Sequence, residues 1–316
     1  MKALYFDGEK AVYREDYPKP EATPGHSLIR VLMSAICNTD REVMRGYRPN
    51  FRGVLGHEFV GVVEKSDDPA LAGKRVVGEL NEGCGKCIYC RTGREKHCIT
   101  RKVIGMEGLD GTFEEYFVLA NHLIHVVPDS LPTEQAIFTE PLAAALEIPN
   151  QLHIRPELNV AVIGDGRLAL MITEVLSLYG VDLTVIGKHP EKLKLFRPYA
   201  KTERIPKDTY EVVIDATGSP GGIELAKNIV RKRGTIVMKS TYAGAIQLDL
   251  SYFVVNEITI MGSRCGPFEP ALELLNKKLV QLPPIELWEL KDYEQAFASH
   301  AFKTGFRFSR KEEKHE

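Results

Sequence analysis

Four of the six cysteines of this 316-residue chain fall within fifteen residues, Cys84, Cys87, Cys90 and Cys98, in the spacing C-x2-C-x2-C-x7-C. Four thiolates this close in sequence can surround one tetrahedral ion. They pair poorly as disulfides, because close neighbours rarely reach bridging geometry without strain. Gly83, Gly85 and Gly93 permit the turns that wrapping an ion requires, and Lys86, Arg91, Arg94, Lys96 and His97 offset the charge of a tetrathiolate. Two disulfides and a redox pair are the other readings. An iron–sulfur cluster fits less well, since the bacterial pattern places its fourth cysteine sooner and follows it with proline, whereas Ile99 follows Cys98 here. The expectation is a closed structural zinc. Such a site shapes a loop and does no chemistry, so any reaction belongs elsewhere in the chain.

The length allows two domains with separate cores. A net charge of -2 gives no reason to expect nucleic acid or an anionic membrane as partner. The first residues, Met1 to Asp7, carry charge too early for a secretory signal, and no apolar run is long enough for a membrane span. Clustered cysteines without such a signal point to a reducing, cytoplasmic location.

The rhythm of the chain changes near Asn159. Before it come short strands with turn punctuation, expected at 27–33, 58–63, 74–78, 113–119 and 123–127, which read as a barrel-like β domain. After it, strands at 159–163, 182–186, 211–215, 234–239 and 258–262 alternate with helices at 167–179, 190–197 and 220–232. Alternation of that kind predicts a parallel sheet covered on both faces. Helices containing 271–275 and 292–298 and a strand at 305–309 follow, with a charged, frayed end at 311–316.

Gly164-Asp165-Gly166-Arg167-Leu168-Ala169 joins the strand 159–163 to its helix and fits G-x-G-x-x-G/A. The first glycine makes the turn, the second admits a pyrophosphate, and Ala169 allows close helix–strand packing. The helix N-terminus supplies N–H groups for phosphate. A dinucleotide site is expected at Gly164, Gly166, Arg167 and Leu168, bordered by Thr217 after the strand 211–215. The second strand ends in Gly187-Lys188-His189, with no acid to accept from a ribose 2′-hydroxyl. Lys188 can instead neutralise a 2′-phosphate, so NADP is expected in preference to NAD.

Cys37, in Ala35-Ile36-Cys37-Asn38-Thr39-Asp40, and His57-Glu58 offer a thiolate, an imidazole and a carboxylate, a ligand set for zinc with an open position. Cys-x-Thr-Asp, then Gly-His-Glu, then the four-cysteine lobe, then the glycine turn, in this order, resembles the zinc-dependent medium-chain dehydrogenases/reductases. Within them the chain is most similar to the glucose, sorbitol and threonine dehydrogenase branch, through Cys37-Asn38-Thr39-Asp40-Arg41-Glu42 and Thr139-Glu140-Pro141-Leu142.

The resemblance implies an α/β two-domain protein. A GroES-like, β-rich catalytic domain over 1–147 would carry both zincs. A Rossmann domain with a doubly wound parallel sheet would span 148–266, and a segment 267–316 would return to the catalytic domain. It implies Cys37, His57 and Glu140 as catalytic zinc ligands, with Glu58 in or next to the shell. Asp40 would orient His57. Thr39 would take the proton of an alcohol, and the relay would end on water or on Glu42, where many relatives carry histidine. Glu114 stands where the glucose branch contacts substrate. The expected activity is hydride transfer from a polyol, sugar or other secondary alcohol to NADP, in a homo-oligomer. The alternatives are oxidation of a simple alcohol or amino-alcohol, with NAD possible, and a non-catalytic NADPH-binding sensor.

Overall fold

A computed structural model describes residues 1–241 and 245–308. The chain divides into two compact units, one of Met1–Glu140 with Leu272–Glu316 and one of Pro141–Ala271. The charged end expected at 311–316 lies outside the described residues.

The first unit is built on one long strand. His26–Ala35 is buried at seven of its ten residues and pairs on both edges. Glu58–Lys65 runs antiparallel to it, followed outward by Arg75–Gly78 and Ile124–Val126. On the other edge lies Lys303–Arg307, which then pairs in parallel with Ile285–Trp288. Tyr116–Ala120 also pairs with His26–Ala35. A second sheet joins Ala3–Phe6 to Ala11–Arg14 and Gly53–Val54. Aromatic rings pack in this unit's core: Phe113 meets Phe306 edge-on at 5.0 Å, and Phe59 meets Phe117 at 4.7 Å. Each such pair adds about 0.5–1.5 kcal/mol beyond the burial of its area. Phe306 comes from the end of the chain, so the core of this unit is closed by its last strand.

The second unit is a six-stranded parallel sheet. Its strands are Lys201–Glu203, Asp182–Ile186, Asn159–Ile163, Tyr210–Asp215, Val230–Met238 and Thr259–Gly262, in that spatial order. In chain order this is 3-2-1-4-5-6, the Rossmann arrangement, whose ligand crevice lies where the order reverses, beyond Ile163 and Asp215. Continuous apolar runs such as Val160–Ile163 have no polar face because the sheet is covered on both sides. The helix Arg167–Ser177 is buried along Ala169–Leu176. Among the described residues no helix is long and apolar enough to cross a membrane.

Several elements differ from their sequence expectation. The helix expected over 190–197 is only Pro190–Leu193. The helix expected over 220–232 stops at Ile229, and Val230–Met238 is strand. Arg233 there has a φ of 63°, and a register shift between Tyr210 and Val212 marks the irregular start of the pairing. The expected strand at 113–119 begins at Tyr116, and that at 305–309 is Lys303–Arg307. The helix Thr139–Gln151 was not anticipated, because Pro141 and Pro149 interrupt its pattern.

Candidate active site and cofactor loop

In the cysteine lobe, one sulfur from each of Cys84, Cys87, Cys90 and Cys98 lies within 4.8 Å of the others. All four are free thiols. The Cys87 and Cys90 sulfurs are 3.5 Å apart, and the Cys84 N–H donates to Cys98 Sγ at 3.3 Å. The N–H groups of Lys86 and Cys87 draw the Cys84 thiol down to about 6, while desolvation and the Cys87 thiol push Cys90 up to about 12. Four thiols in contact cannot all ionise without a cation between them. The donor set therefore fits a closed metal site. Glu95 braces the lobe, accepting from Gly83 N at 2.6 Å with His122 Nε2 at 2.9 Å.

A second donor group lies within the first unit. Cys37 Sγ, His57 and Glu58 each present an atom within 4.8 Å of the others. Cys37 sits in extended conformation just before the helix Asn38–Glu42, while Glu58 starts its strand opposite Ala35. The turn of chain after Ala35 and the approach to the neighbouring strand thus bring the three together. Asp40, fully buried, binds the pair of candidate ligands from behind. Its Oδ2 accepts the Cys37 N–H at 2.8 Å, and its Oδ1 is 3.2 Å from His57 Nδ1. Nε2 is then the ring nitrogen left for a ligand. Thr39 Oγ1 is 3.6 Å from Cys37 Sγ.

Burial works against a charged His57, yet Asp40 and Cys37 outweigh it and hold the imidazole well above its ordinary pKa. The pocket is short of positive charge. His57 Nδ1 and Asp40 Oδ1 face each other, and Glu58 Oε1 is buried without a hydrogen bond. One cation does reach this region: Lys303, 2% exposed, forms an ion pair with Glu58 Oε2. Sequence alone offered no signal for Lys303, because nothing local relates it to Glu58. Buried, under-satisfied anionic donors of mixed softness are the features a divalent metal such as zinc would complete.

Three expected residues are not in that tight group. Glu140, half-buried, lies in the first turn of the helix Thr139–Gln151. Glu42 pairs with Arg45 at 2.9 Å, one turn along from Thr39. Glu114, 1% exposed, lines a separate cavity of about 240 Å³ with Tyr17, Lys19, Asp110 and Phe117. Burial and the nearby Asp110 raise its pKa well above the usual carboxylate range, and its Oε2 has no hydrogen bond.

In the second unit, Gly164 has a φ of +124°, and a Cβ there would come within 2.7 Å of the Ala216 carbonyl. Only glycine fits that turn. A Cβ on Gly166 would meet nothing within 4 Å, which leaves the space before the helix Arg167–Ser177 open for a phosphate group. Thr217 is anchored by Asp215, whose Oδ1 accepts from the Thr217 N–H at 3.0 Å and hydroxyl at 2.8 Å. The strand pair ending at Ile186 and Glu203 opens on a cavity of about 550 Å³ lined by Lys188, Arg204 and Lys207 among others. Sequence reading had found Lys188 but neither Arg204 nor Lys207, which follow a strand too short to recognise. It also passed over Asp165, whose carboxylate reaches the Lys188–His189 turn. The residues fit a dinucleotide.

Residues 23–129 match the family of alcohol dehydrogenase GroES-like domains. The sorbitol dehydrogenase of Halalkalibacterium halodurans is 29% identical, over 96% of this chain and 97% of its own length. A zinc-type alcohol dehydrogenase-like protein of Haemophilus influenzae is 29% identical over 87% of each chain. The structure of the alcohol dehydrogenase TADH from Thermus sp. ATN1 superposes with a TM-score of 0.86 at 26% identity, over 97% of this chain and 99% of that one.

Proposed function

We propose that the chain is an oxidoreductase of the zinc-type alcohol dehydrogenase kind, and that it oxidises the secondary hydroxyl of a polyol or sugar with NADP as acceptor. The observation that carries this reading is the buried donor group of Cys37 and His57 clamped by one carboxylate, Asp40. Cys37, His57 and Glu140 would hold a zinc, with Glu58 next to it, and Cys84, Cys87, Cys90 and Cys98 a second. When bound, the first zinc supplies Lewis acidity that lowers the pKa of an alcohol hydroxyl, and NADP supplies the hydride acceptor.

The chain's own groups do the rest. Asp40 fixes the ring of His57 and the backbone of Cys37, so both donors are preorganised. Thr39 takes the hydroxyl proton and passes it toward Glu42, which lies on the same helix face three residues on. A carboxylate at Glu140 in place of a thiolate makes the donor set harder and favours oxygen-rich substrates. Lys188, Arg204 and Lys207 support the choice of NADP, since three cations line one cavity at the strand tip where a 2′-phosphate would lie.

NADP and NAD reduction across sugars, polyols and simple alcohols tests the reading. Turnover centred on a polyol or aldose with NADP is expected. Turnover restricted to simple alcohols would overturn the substrate class, and a clear NAD preference the cofactor.

We also take the protein to be a cytoplasmic homo-oligomer. Six free cysteines accord with a reducing compartment. Strand Thr259–Gly262 is the outermost of the parallel sheet, and Ile260, Val254 and Val255 are exposed. Ile260→Lys should yield monomers in light scattering; an unchanged mass would remove this face from the assembly.

A further inference from the structure

We propose that Asp165 is a built-in competitor for the 2′-phosphate of NADP, and that its carboxylate sets how far the protein discriminates between the two nicotinamide cofactors. The inference rests on the dinucleotide reading of the glycine turn and goes beyond it to a residue that the motif treats as variable.

The groups available to an anion beyond Ile186 are the N–H groups of Lys188 and His189, the His189 ring and the Lys188 amine. Asp165 already engages the first three. Its Oδ2 accepts from Lys188 N at 2.7 Å and from His189 N at 2.8 Å, and lies 3.0 Å from His189 Nδ1. Gly187 is shaped to the same contact. A Cβ there would stand 2.8 Å from Asp165 Cβ, 2.9 Å from its Oδ2 and 2.8 Å from Leu193 Cδ2, so the glycine makes room for this carboxylate and for Leu193. Burial opposes the charge, but the His189 N–H, the His189 ring and the Lys188 N–H prevail and lower the Asp165 pKa, so the group is an anion at neutral pH.

A carboxylate held by two backbone N–H groups and an imidazole occupies an anion site in miniature. A 2′-phosphate approaching Lys188 must expel it or bear its repulsion. A ribose with a free 2′-hydroxyl need do neither, because the carboxylate can accept from that hydroxyl as an acid at the strand tip does in other Rossmann proteins. The acid absent from the 187–189 turn is thus supplied from the glycine loop. Lys188, Arg204 and Lys207 pull toward NADP, and Asp165 pulls back.

Calorimetric titration of NADP and NAD into the full-length wild type, Asp165→Asn and Asp165→Ala gives the test without turnover. The amide keeps an acceptor for the two N–H groups and loses the charge. Asp165→Asn is expected to tighten NADP about tenfold while NAD changes less than about threefold, the scale of one partly screened charge at close range. Asp165→Ala should tighten NADP in the same direction, and guards against a disturbance peculiar to the amide. Parallel shifts for both cofactors, or weaker NADP binding in both variants, would reduce Asp165 to a loop brace and overturn the proposal. A wild type that binds neither cofactor would instead overturn the dinucleotide reading itself, and the proposal with it.

Discussion

Lys303 and Glu58 form an ion pair from which water is excluded, with side chains 3% and 0% exposed. One residue follows the candidate ligand His57 at the start of its strand; the other opens the last strand of the fold. Each charge is tolerable only because of the other. Removing one partner of such a pair costs about 3–5 kcal/mol, since the survivor stays buried and unpaired. Lys303→Met should therefore lower the unfolding free energy by that order in chemical denaturation, and Glu58→Gln added to it should recover part of the loss. A single variant as stable as the wild type would mean that Glu58 is compensated by something else.

The two donor groups should separate under mutation. Metal analysis of the wild type is expected to give two zinc per chain. Cys87→Ser should retain one, with a lower melting temperature. Cys37→Ser should also retain one, lose turnover by at least about a hundredfold and keep its affinity for NADP, because its site lies in the other unit from the glycine turn. Equal zinc content in all three proteins would contradict both assignments.

Glu114 gives the chain a pH-dependent stability of definite sign. Burial and Asp110 raise its folded pKa well above the 4.5 of a free glutamate. The folded state keeps the proton that the unfolded chain releases, so its contribution is intact below about pH 4.5 and is lost as pH rises toward the folded pKa. Glu114→Gln removes the titration. Its melting temperature should exceed that of the wild type by a margin that grows as the pH rises above about 4.5. A margin independent of pH would show that the acid is ionised in the fold.

Lys188→Asp places a carboxylate on a cavity that Arg204 and Lys207 also line. The ratio of NADP to NAD affinity should fall about a hundredfold, from loss of attraction and gain of repulsion together. An unchanged ratio would make Lys188 a solvated surface residue and shift the discrimination to Arg204 and Lys207.

What the sequence disclosed follows from how local each signal is. The cysteine lobe was legible because its four donors are neighbours in the chain. Strands 159–163 and 182–186 were found to the residue, since a buried parallel strand is an unbroken apolar run. Family order drew attention to Cys37 and His57, whose closeness depends on the antiparallel pairing of Ala35 with Glu58. Asp165 and Lys303 were beyond reach for one reason. Each acts on a partner brought to it by folding, Asp165 across the crevice between adjacent strands and Lys303 from the far end of the chain. Short or interrupted elements, such as Lys201–Glu203 and the proline-bearing helix Thr139–Gln151, carry too little periodic pattern to be read.

The placement of Lys303–Arg307 beside His26–Ala35 has a consequence for how the protein comes into being. During synthesis the unit 141–271 leaves the ribosome as one continuous stretch, able to fold at once. The unit that carries both cysteine-bearing donor groups emerges first yet waits longest. Its central sheet lacks a strand, its core lacks Phe306 and Glu58 lacks its counter-charge until residues 303–307 have been made. A nascent chain stalled or cut short before residue 303 would hold a finished nucleotide fold attached to an unfinished metal one.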